Sequence, residues 1–361
     1  MAEQFCCTTP VVSVSEEELD KWAAERGVKR RPQERTTEID EGGNFVRQQN
    51  YFTTPFGDKE GELKAEEGRY HLVWAHICHW SNRASIVREL LGLQDVISVT
   101  TAGEIGGGIK YSWGFPYSKD FEDPYTGHKF LAEAYAKGDP DFKGRATVPA
   151  LIDKTTGAVV NNDYHRLTNY FEVNFRSFQP EDAPDLYPEE LREEIDKFNA
   201  WLYPTINDGH YRMAYARTLE AYNAAFDDFF NALDEIDARL EKNRFLFGDY
   251  VTDSDVRVFV SLARFDNHYY RQLGPIKHRV VDYKNVWPYL RDLYEIPAFK
   301  NNTYFEDFVK AFGLSKGAGG NFGSFTNKFG LKIDYDKLWS EPQNRKVLSK
   351  TPEEKFLRHR H

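Results

Sequence analysis

The periodicity of the apolar residues changes near residue 180, and this change restricts the possible folds more than any other feature of the sequence. Before it, short β-rich runs alternate with amphipathic helical runs. From "DLYPEELREEID" (starting at Asp185) onward, apolar side chains recur at helical spacing almost throughout, as at Tyr222, Phe226 and Phe230. The sequence therefore predicts an α/β domain followed by an all-helical domain, with the boundary in the acidic, Pro-containing stretch "FQPEDAPDLYPEE".

The first part contains seven predicted elements in the order β-α-β-α-β-β-α. "RYHLVWA" and "DVISVTTA" are typical of strands, and "ATVPALIDKTTGAVVNND" of a β-hairpin. "SNRASIVRELLGL", "GHKFLAEAYAKGDPDF" and "DYHRLTNYFEVNF" are typical of helices. This order predicts a mixed sheet with helices on its faces. Pro149 cannot donate to a sheet ladder, so Val148-Pro149 is a candidate cis peptide where the hairpin begins.

Composition excludes several classes of protein. The 361 residues suffice for two domains, and 40% hydrophobic content supports large cores. A net charge of -10 argues against a general nucleic-acid or anionic-membrane binder. The sequence has no apolar run near the ~20 residues that span a bilayer and no signal peptide, so we expect no membrane partner and a cytoplasmic location. Three cysteines do not make a disulfide framework, and Cys6 and Cys7 are expected in a frayed tail.

The two ends of the chain differ from its middle. Residues 1–65 are polar and turn-rich, and the charged stretch "AAERGVKRRPQERTTEIDEGG" is expected to be solvated. Aromatic residues recur in "FVRQQNYFTTPFGD", which we expect to lie as an arm on the following domain. Residues 313–361 begin with the Gly-rich "GLSKGAGGNFGSFTNKFG" and are expected to be irregular.

Cys78 is the cysteine most suited to chemistry, because it lies where a strand ends and a helix begins. The unpaired N–H groups of a helix N-terminus stabilise an anion, and a thiolate is the reactive form of cysteine. The alternative is a buried cysteine that acts as a small apolar residue. The neighbouring His76 and His79 invite a metal site, but the sequence lacks a second ligand cluster, so no metal is expected. "GEIGGG" (starting at Gly103) departs from phosphate-binding patterns and indicates a flexible turn.

Several long stretches occur in an order that is similar to one enzyme family. They include "EEGRYHLVWAHICHWSNR", "DPDFKGRATVPALIDKTTGAVVNND" and "RFLFGDYVTDSDVR". Through them the chain resembles the Xi-class glutathione transferases, or glutathionyl-hydroquinone reductases, over about residues 42–310. The resemblance implies a thioredoxin-like, glutathione-binding domain at residues 66–178 and an all-helical glutathione-transferase C-terminal domain at residues 185–312. It also implies a homodimer, glutathione as co-substrate and an aromatic small-molecule substrate.

Site residues follow from the same resemblance. Cys78 matches the nucleophile, which removes glutathione from a glutathionyl-hydroquinone and forms a mixed disulfide. The glutathione-binding residues would be Trp113, Arg145, Val148, Asp163 and Tyr164, and the aromatic pocket would contain Tyr211, Tyr269 and Tyr294.

The chain departs from the family pattern beside the nucleophile and at the expected grip on glutathione. The family has Cys-Pro-Trp-Ala-His-Arg, whereas here His79, Ser81 and Asn82 stand in the places of Pro, Ala and His. The Glu-Ser pair that holds the γ-glutamyl group is Asp163-Tyr164. Three functions therefore stay open: a glutathione (or related thiol) transferase/reductase of the Xi type, a non-catalytic or altered-specificity binding relative, and an enzyme of this fold with another reaction.

Overall fold

The structure, a computed structural model, describes residues 14–30, 38–105, 109–270, 273, 277–308 and 333–359. Cys6 and Cys7 lie outside these residues, as do residues 106–108 of the glycine-rich turn and all of the Gly-rich stretch at residues 313–330. The expectations for these segments therefore remain predictions.

The α/β domain has the predicted order of elements. Its sheet runs β2-β1-β3-β4; β1 is parallel to β2 and antiparallel to β3, and β3 and β4 form the hairpin. The Val148-Pro149 peptide is cis, as proposed. The elements are β1 (Tyr70–Trp74), α2 (His79–Leu90), β2 (Ser98–Thr101), α3 (Leu131–Gly138), β3 (Ala150–Asp153), β4 (Ala158–Asn161) and α4 (Leu167–Val173).

The second domain is helical, and a large apolar core joins it to α2 and α4 of the first domain. Helix α8 begins with the predicted capping box, in which Asp255 accepts from the backbone and hydroxyl of Thr252. No helix of the described residues is long and apolar enough to cross a membrane. The helices are α5 (Arg192–Leu202), α6 (Gly209–Tyr215), α7 (Leu219–Leu240), α8 (Asp253–Leu262), α9 (Val286–Tyr294) and α10 (Pro297–Asn301).

The N-terminal extension contains a helix that the sequence analysis did not predict. Helix α1 (Glu16–Glu25) is capped by Ser15, whose hydroxyl accepts from the Glu18 N–H. Its short apolar stripe of Leu19 and Ala23 packs in one buried cluster with residues of the α/β domain. The expectation that the charged stretch from Ala23 to Gly43 is solvated is therefore wrong at Ala23, and it is also wrong at Glu38, whose carboxylate is buried against Arg145. Two apolar residues among charged neighbours are too few for a helical periodicity to be recognised in the sequence.

The C-terminal segment is also more ordered than expected. Residues 333–359 include α11 (Tyr335–Trp339), and Arg345 is buried against the end of α7. The Arg345 guanidinium donates to the carbonyls of Leu240 and Arg244, at 2.8 and 3.0 Å. Carbonyls at a helix C-terminus lack partners within the helix, so this arginine satisfies them. The expectation of an irregular segment is therefore wrong for the part that follows the Gly-rich stretch.

Replacing Asp255 by Ala is expected to lower the free energy of unfolding by about 3 kcal/mol or more. Its carboxylate accepts from the Leu246 N–H and the Tyr289 hydroxyl as well as from Thr252, and these buried donors would be left unpaired. Urea denaturation measures the change. Ser15→Ala is the control, because it removes an exposed cap and should cost about 1 kcal/mol or less. Equal losses in the two variants would contradict this interpretation.

Candidate active site

Cys78 occupies the N-cap position of α2, four residues after the end of β1, and its side chain makes no capping hydrogen bond within the described residues. Its N–H donates to the Ala75 carbonyl, at 3.0 Å. Its thiol lies 3.6 Å from the carbonyl oxygen of Val148, the residue before the cis proline. Cys78 is partly exposed and packs on a buried cluster that contains Trp113 and Val148. The structure thus brings these three predicted site residues together at the N-terminus of a helix.

The first turn of α2 is polar in sequence, yet it is buried between the two domains. The Ser81 hydroxyl accepts from the Ala75 N–H at 3.1 Å, and the Asn82 amide donates to the Asn302 carbonyl at 2.8 Å. Neither side chain is exposed. Ser81 and Asn82, two of the departures from the family pattern, therefore form hydrogen bonds that hold this turn in place.

Arg264, which follows α8, anchors the segment that carries Cys78. Its guanidinium is fully buried and donates to the His76 carbonyl at 2.7 Å and to the Asn82 side chain at 2.9 Å. Burial lowers the pKa of Arg264 to about 10, although nearby Tyr269 and Cys78 oppose this effect when they are ionised. Arg264 is therefore charged at neutral pH and places a cation close to Cys78.

Two tyrosines from the helical domain, Tyr211 and Tyr269, lie near Cys78. Burial raises the pKa of Tyr211 to about 12, Arg47 opposes this shift, and the Cys78 thiolate adds to it. Burial, together with Tyr211, raises the pKa of Tyr269 well above its usual range. Both phenols therefore stay protonated at neutral pH, so both can donate hydrogen bonds to an oxygen anion near Cys78.

His79 turns toward the helical domain. Its Nδ1 lies 2.9 Å from the Tyr269 hydroxyl oxygen, and its ring is T-shaped against that of His210, at 5.2 Å between centroids. Burial and the charges of His210, Arg264 and Arg47 lower the pKa of His79 well below its usual value. The imidazole is therefore neutral at neutral pH and contributes no positive charge next to the thiol.

The N-terminal arm supplies Arg47 to this cleft. Its guanidinium lies over the rings of Tyr211 and Trp80, at 4.4 and 4.8 Å, and its Nε donates to Asp208 at 2.7 Å. Burial by itself lowers the pKa of Arg47, but Asp208, Tyr211 and Tyr203 together outweigh it and the pKa is raised. This cation, held by aromatic faces and a carboxylate, ties the arm to both domains.

The residues expected to grip the ends of glutathione already have partners within the chain. Arg145 pairs with the buried carboxylate of Glu38. Asp163 accepts from the Asn50 amide at 3.0 Å. The Tyr164 ring packs against Trp80 at 4.6 Å. Beside it lies a cavity of about 10 Å³, room for one water molecule, lined by His79, Trp80, Arg83, Tyr164, Tyr203, Asn207, Arg257 and Val260.

Tyr294 has different surroundings from Tyr211 and Tyr269. Its hydroxyl donates to Asp336 at 2.9 Å, and its ring packs on Phe305 and Trp339. These contacts place it where the C-terminal segment packs on the helical domain. Among the described residues they give it no link to Cys78, so its proposed role in the aromatic pocket gains no support.

Three site residues escaped the sequence analysis: Arg47, His210 and Arg264. Arg264 was detectable as a cation that directly follows the apolar run of α8, and Arg47 as a cation among the aromatic residues of the arm. His210 gave no signal of its own, because its position against Tyr269, at 3.6 Å between stacked rings, is a tertiary contact.

Comparison with known proteins decides the family. Residues 219–292 match the family model of the glutathione S-transferase C-terminal domain. Glutathionyl-hydroquinone reductase YqjG of Escherichia coli K12 is 33% identical over 280 residues, which cover 73% of this chain and 83% of the relative. The chain belongs to the Xi-class glutathione transferases.

Solved structures of this class share the fold. The Xi transferase of Phanerochaete chrysosporium superposes with a TM-score of 0.69 at 36% identity and covers 75% of this chain and 88% of its own. The glutathione-bound YqjG structure from Escherichia coli K-12 has a TM-score of 0.69 at 31% identity, over 82% and 96% of the two chains. This Xi-class transferase is thus an enzyme with the predicted thioredoxin-like and helical domains.

In this Xi-class transferase, Arg264→Met is expected to lower the free energy of unfolding by about 2–4 kcal/mol. The buried His76 carbonyl and Asn82 side chain would lose their donor, and an apolar side chain cannot replace it. Urea denaturation measures the loss. Arg166→Met is the matched control: it breaks an exposed ion pair with Asp196, which contributes about 0–1 kcal/mol. A loss no larger than that of the control would contradict the anchoring role.

Proposed function

We propose that this chain is a glutathione-dependent reductase of glutathionyl-hydroquinones and similar aromatic thioethers, with Cys78 as its nucleophile. The observation that carries the proposal is the position of the thiol. Cys78 occupies the N-cap position of α2, lies next to the Arg264 cation and is faced by the protonated Tyr211 and Tyr269. Such a site stabilises a thiolate on one side and an aromatic oxygen on the other.

The reaction exchanges one bond to sulfur for another. The Cys78 thiolate attacks the glutathione sulfur, so that a sulfur–sulfur bond forms while the carbon–sulfur bond to the ring breaks. The ring carbon keeps the electron pair together with one proton, and the hydroquinone leaves. A second glutathione thiolate attacks the mixed disulfide, which gives glutathione disulfide and returns the Cys78 thiolate. In sum, one aryl thioether and one glutathione become one hydroquinone and one glutathione disulfide.

The backbone at the cis proline suits a peptide-like thiol. The Val148 carbonyl faces the Cys78 sulfur, and within the described part of the chain the Val148 N–H has no hydrogen-bond partner. An extended cysteinyl residue can use both groups, as in the pairing of two strands. The YqjG structure from Escherichia coli K-12 contains bound glutathione, which supports the same ligand here.

The homodimer and the cytoplasmic location remain part of the proposal. Size-exclusion chromatography with light scattering tests the first, and fractionation of the source cells tests the second.

Cys78→Ser is expected to lower kcat/KM for a glutathionyl-hydroquinone at least about a thousandfold, because a serine hydroxyl stays protonated at neutral pH and is a weak nucleophile. The measurement is hydroquinone release in the presence of glutathione. The double variant Cys6→Ala/Cys7→Ala is the matched control and should retain wild-type turnover. Turnover retained in Cys78→Ser, or lost in the control, would contradict the assignment.

Tyr164→Ser is expected to lower the KM for glutathione about tenfold. The phenol fills space next to Trp80 and the small cavity, and a serine would open this space to the γ-glutamyl group. Tyr125→Ser is the control, because Tyr125 is exposed and its ring packs against His71, near the start of β1 and away from Cys78. An unchanged KM in Tyr164→Ser would mean that glutathione does not approach this side chain.

A second function, binding of glutathione or a related thiol without turnover, is favoured by one observation. Glu38 and Asn50, both from the N-terminal segment, already engage Arg145 and Asp163. A ligand that uses these two residues must displace those partners. Isothermal titration with glutathione separates the alternatives: binding without turnover supports the second function, and binding with turnover supports the first.

A further inference from the structure

His79 occupies an unusual place for an ionisable residue. It is the first residue of α2, directly after Cys78, and its side chain is almost fully buried between the domains. One ring nitrogen, Nδ1, lies 2.9 Å from the Tyr269 hydroxyl oxygen. The other, Nε2, is inaccessible to solvent and has no hydrogen-bond partner among the residues that the structure describes. The ring therefore makes a single polar contact, and this contact crosses from the α/β domain to the helical domain.

The unpaired nitrogen indicates which tautomer is present. A neutral imidazole carries its proton on one nitrogen only, and the hydrogen bond of one nitrogen sets the state of the other. A proton on Nε2 would leave a buried N–H donor without a partner, which native structures rarely tolerate. A proton on Nδ1 leaves only a lone pair unpaired, and the N–H then donates to Tyr269.

The direction of the hydrogen bond between His79 and Tyr269 determines where the Tyr269 hydroxyl proton can point. When the Tyr269 oxygen accepts from His79, its own proton is free to point elsewhere. Tyr211 is a polar neighbour in its reach, with 5.8 Å between the two ring centroids, and both phenols interact with the charge of Cys78. Hydrogen bonds in a chain polarise one another, so the imidazole strengthens the phenols as donors.

We propose that His79 is a positioning residue for the proposed reductase reaction: its Nδ1–H donates to Tyr269 and directs the Tyr269 and Tyr211 protons toward the phenolic oxygen of an aromatic substrate. The inference rests on the proposed function. It gives a role to the residue that stands where the family has proline, and it predicts a preference for leaving groups that carry a phenolic oxygen.

The chemistry explains why that oxygen matters. The sulfur-bearing ring carbon takes up a proton, which gives the keto tautomer. When the carbon–sulfur bond breaks, its electron pair restores the aromatic ring and leaves a negative charge on the former carbonyl oxygen. The oxygen regains a proton from a phenol, which is reprotonated from solvent. Donors that already point at this oxygen stabilise the charge as it develops.

The surroundings keep the imidazole in its neutral form. The cationic or titratable groups that face it from the elements packed around it are Cys78, Arg47, His210, Tyr211, Arg264, His268 and Tyr269. Protonation of His79 would add a second cation beside Arg264 in a buried site, so the ring acts as a hydrogen-bond donor and not as an acid.

The test compares His79→Leu, which removes the donor, with His79→Asn, whose amide N–H lies near the place of Nδ1–H. Each variant is assayed on a glutathionyl-hydroquinone and on the mixed disulfide of glutathione and 2-mercaptoethanol, which uses the same thiol but releases no phenol. We expect His79→Leu to lower kcat about tenfold on the first substrate only, with KM little changed, and His79→Asn to remain within about threefold of wild type. Equal losses on both substrates, or equal effects of the two variants, would overturn the proposal.

Binding of 4-nitrophenolate separates this inference from the proposed function, because it requires no turnover. Wild type and His79→Asn should bind this anion about tenfold more tightly than His79→Leu, as followed by its absorption. In a Tyr269→Phe background, His79→Leu should not change the affinity for 4-nitrophenolate any further, because the hydroxyl that accepts the hydrogen bond from His79 is absent. Equal affinity in wild type and His79→Leu would overturn the positioning role, even if reductase activity is found. His79→Met is a second donor-free variant, used if His79→Leu does not unfold cooperatively.

Discussion

The buried guanidinium of Arg264 is the interaction on which the site depends. It reaches from the helical domain to the residues on both sides of Cys78, His76 and Asn82. It thereby fixes where β1 ends and where α2 begins, and it also brings a positive charge close to the thiol. A buried cation is costly unless its donors are used, and the two terminal nitrogens of Arg264 donate to the Val260 and His76 carbonyls and to the Asn82 side chain. The two domains and the nucleophile are positioned by the same side chain.

The departures from the family pattern have a physical meaning in this arrangement. Asn82 is a direct partner of Arg264 and also donates to Asn302, so it joins α2 to the helical domain. Ser81 accepts from the end of β1. The His79 imidazole contacts the Tyr269 hydroxyl and is neutral, so it adds no positive charge next to the thiol. The altered first turn of α2 therefore forms one hydrogen bond to the end of β1 and several to the helical domain, which keep Cys78 at the helix N-terminus and change what surrounds it.

Much of the fold could be predicted from sequence because its signals are local. Alternating and helical periodicities gave the order of the elements, and the Val148-Pro149 pair gave the site of the cis peptide. Helix α1 and the ordered C-terminal segment were missed, since their order depends on contacts such as those of Ala23 and Arg345 with distant parts of the chain. For the site, Cys78 could be found from its position between strand and helix. Arg47 and Arg264 stand out locally as cations beside apolar or aromatic runs, but their roles, like that of His210, depend on tertiary contacts that the local sequence does not encode.

The central claim is that the Cys78 thiolate attacks the sulfur of an aromatic thioether and keeps the glutathionyl group. Mass spectrometry of the full chain, incubated with a glutathionyl-hydroquinone in the absence of free glutathione, tests it directly. The account predicts one glutathionyl group on Cys78, released hydroquinone in equal amount, and loss of the adduct on addition of glutathione. An aromatic adduct on Cys78, or a glutathionyl group on Cys6 or Cys7 alone, would contradict it.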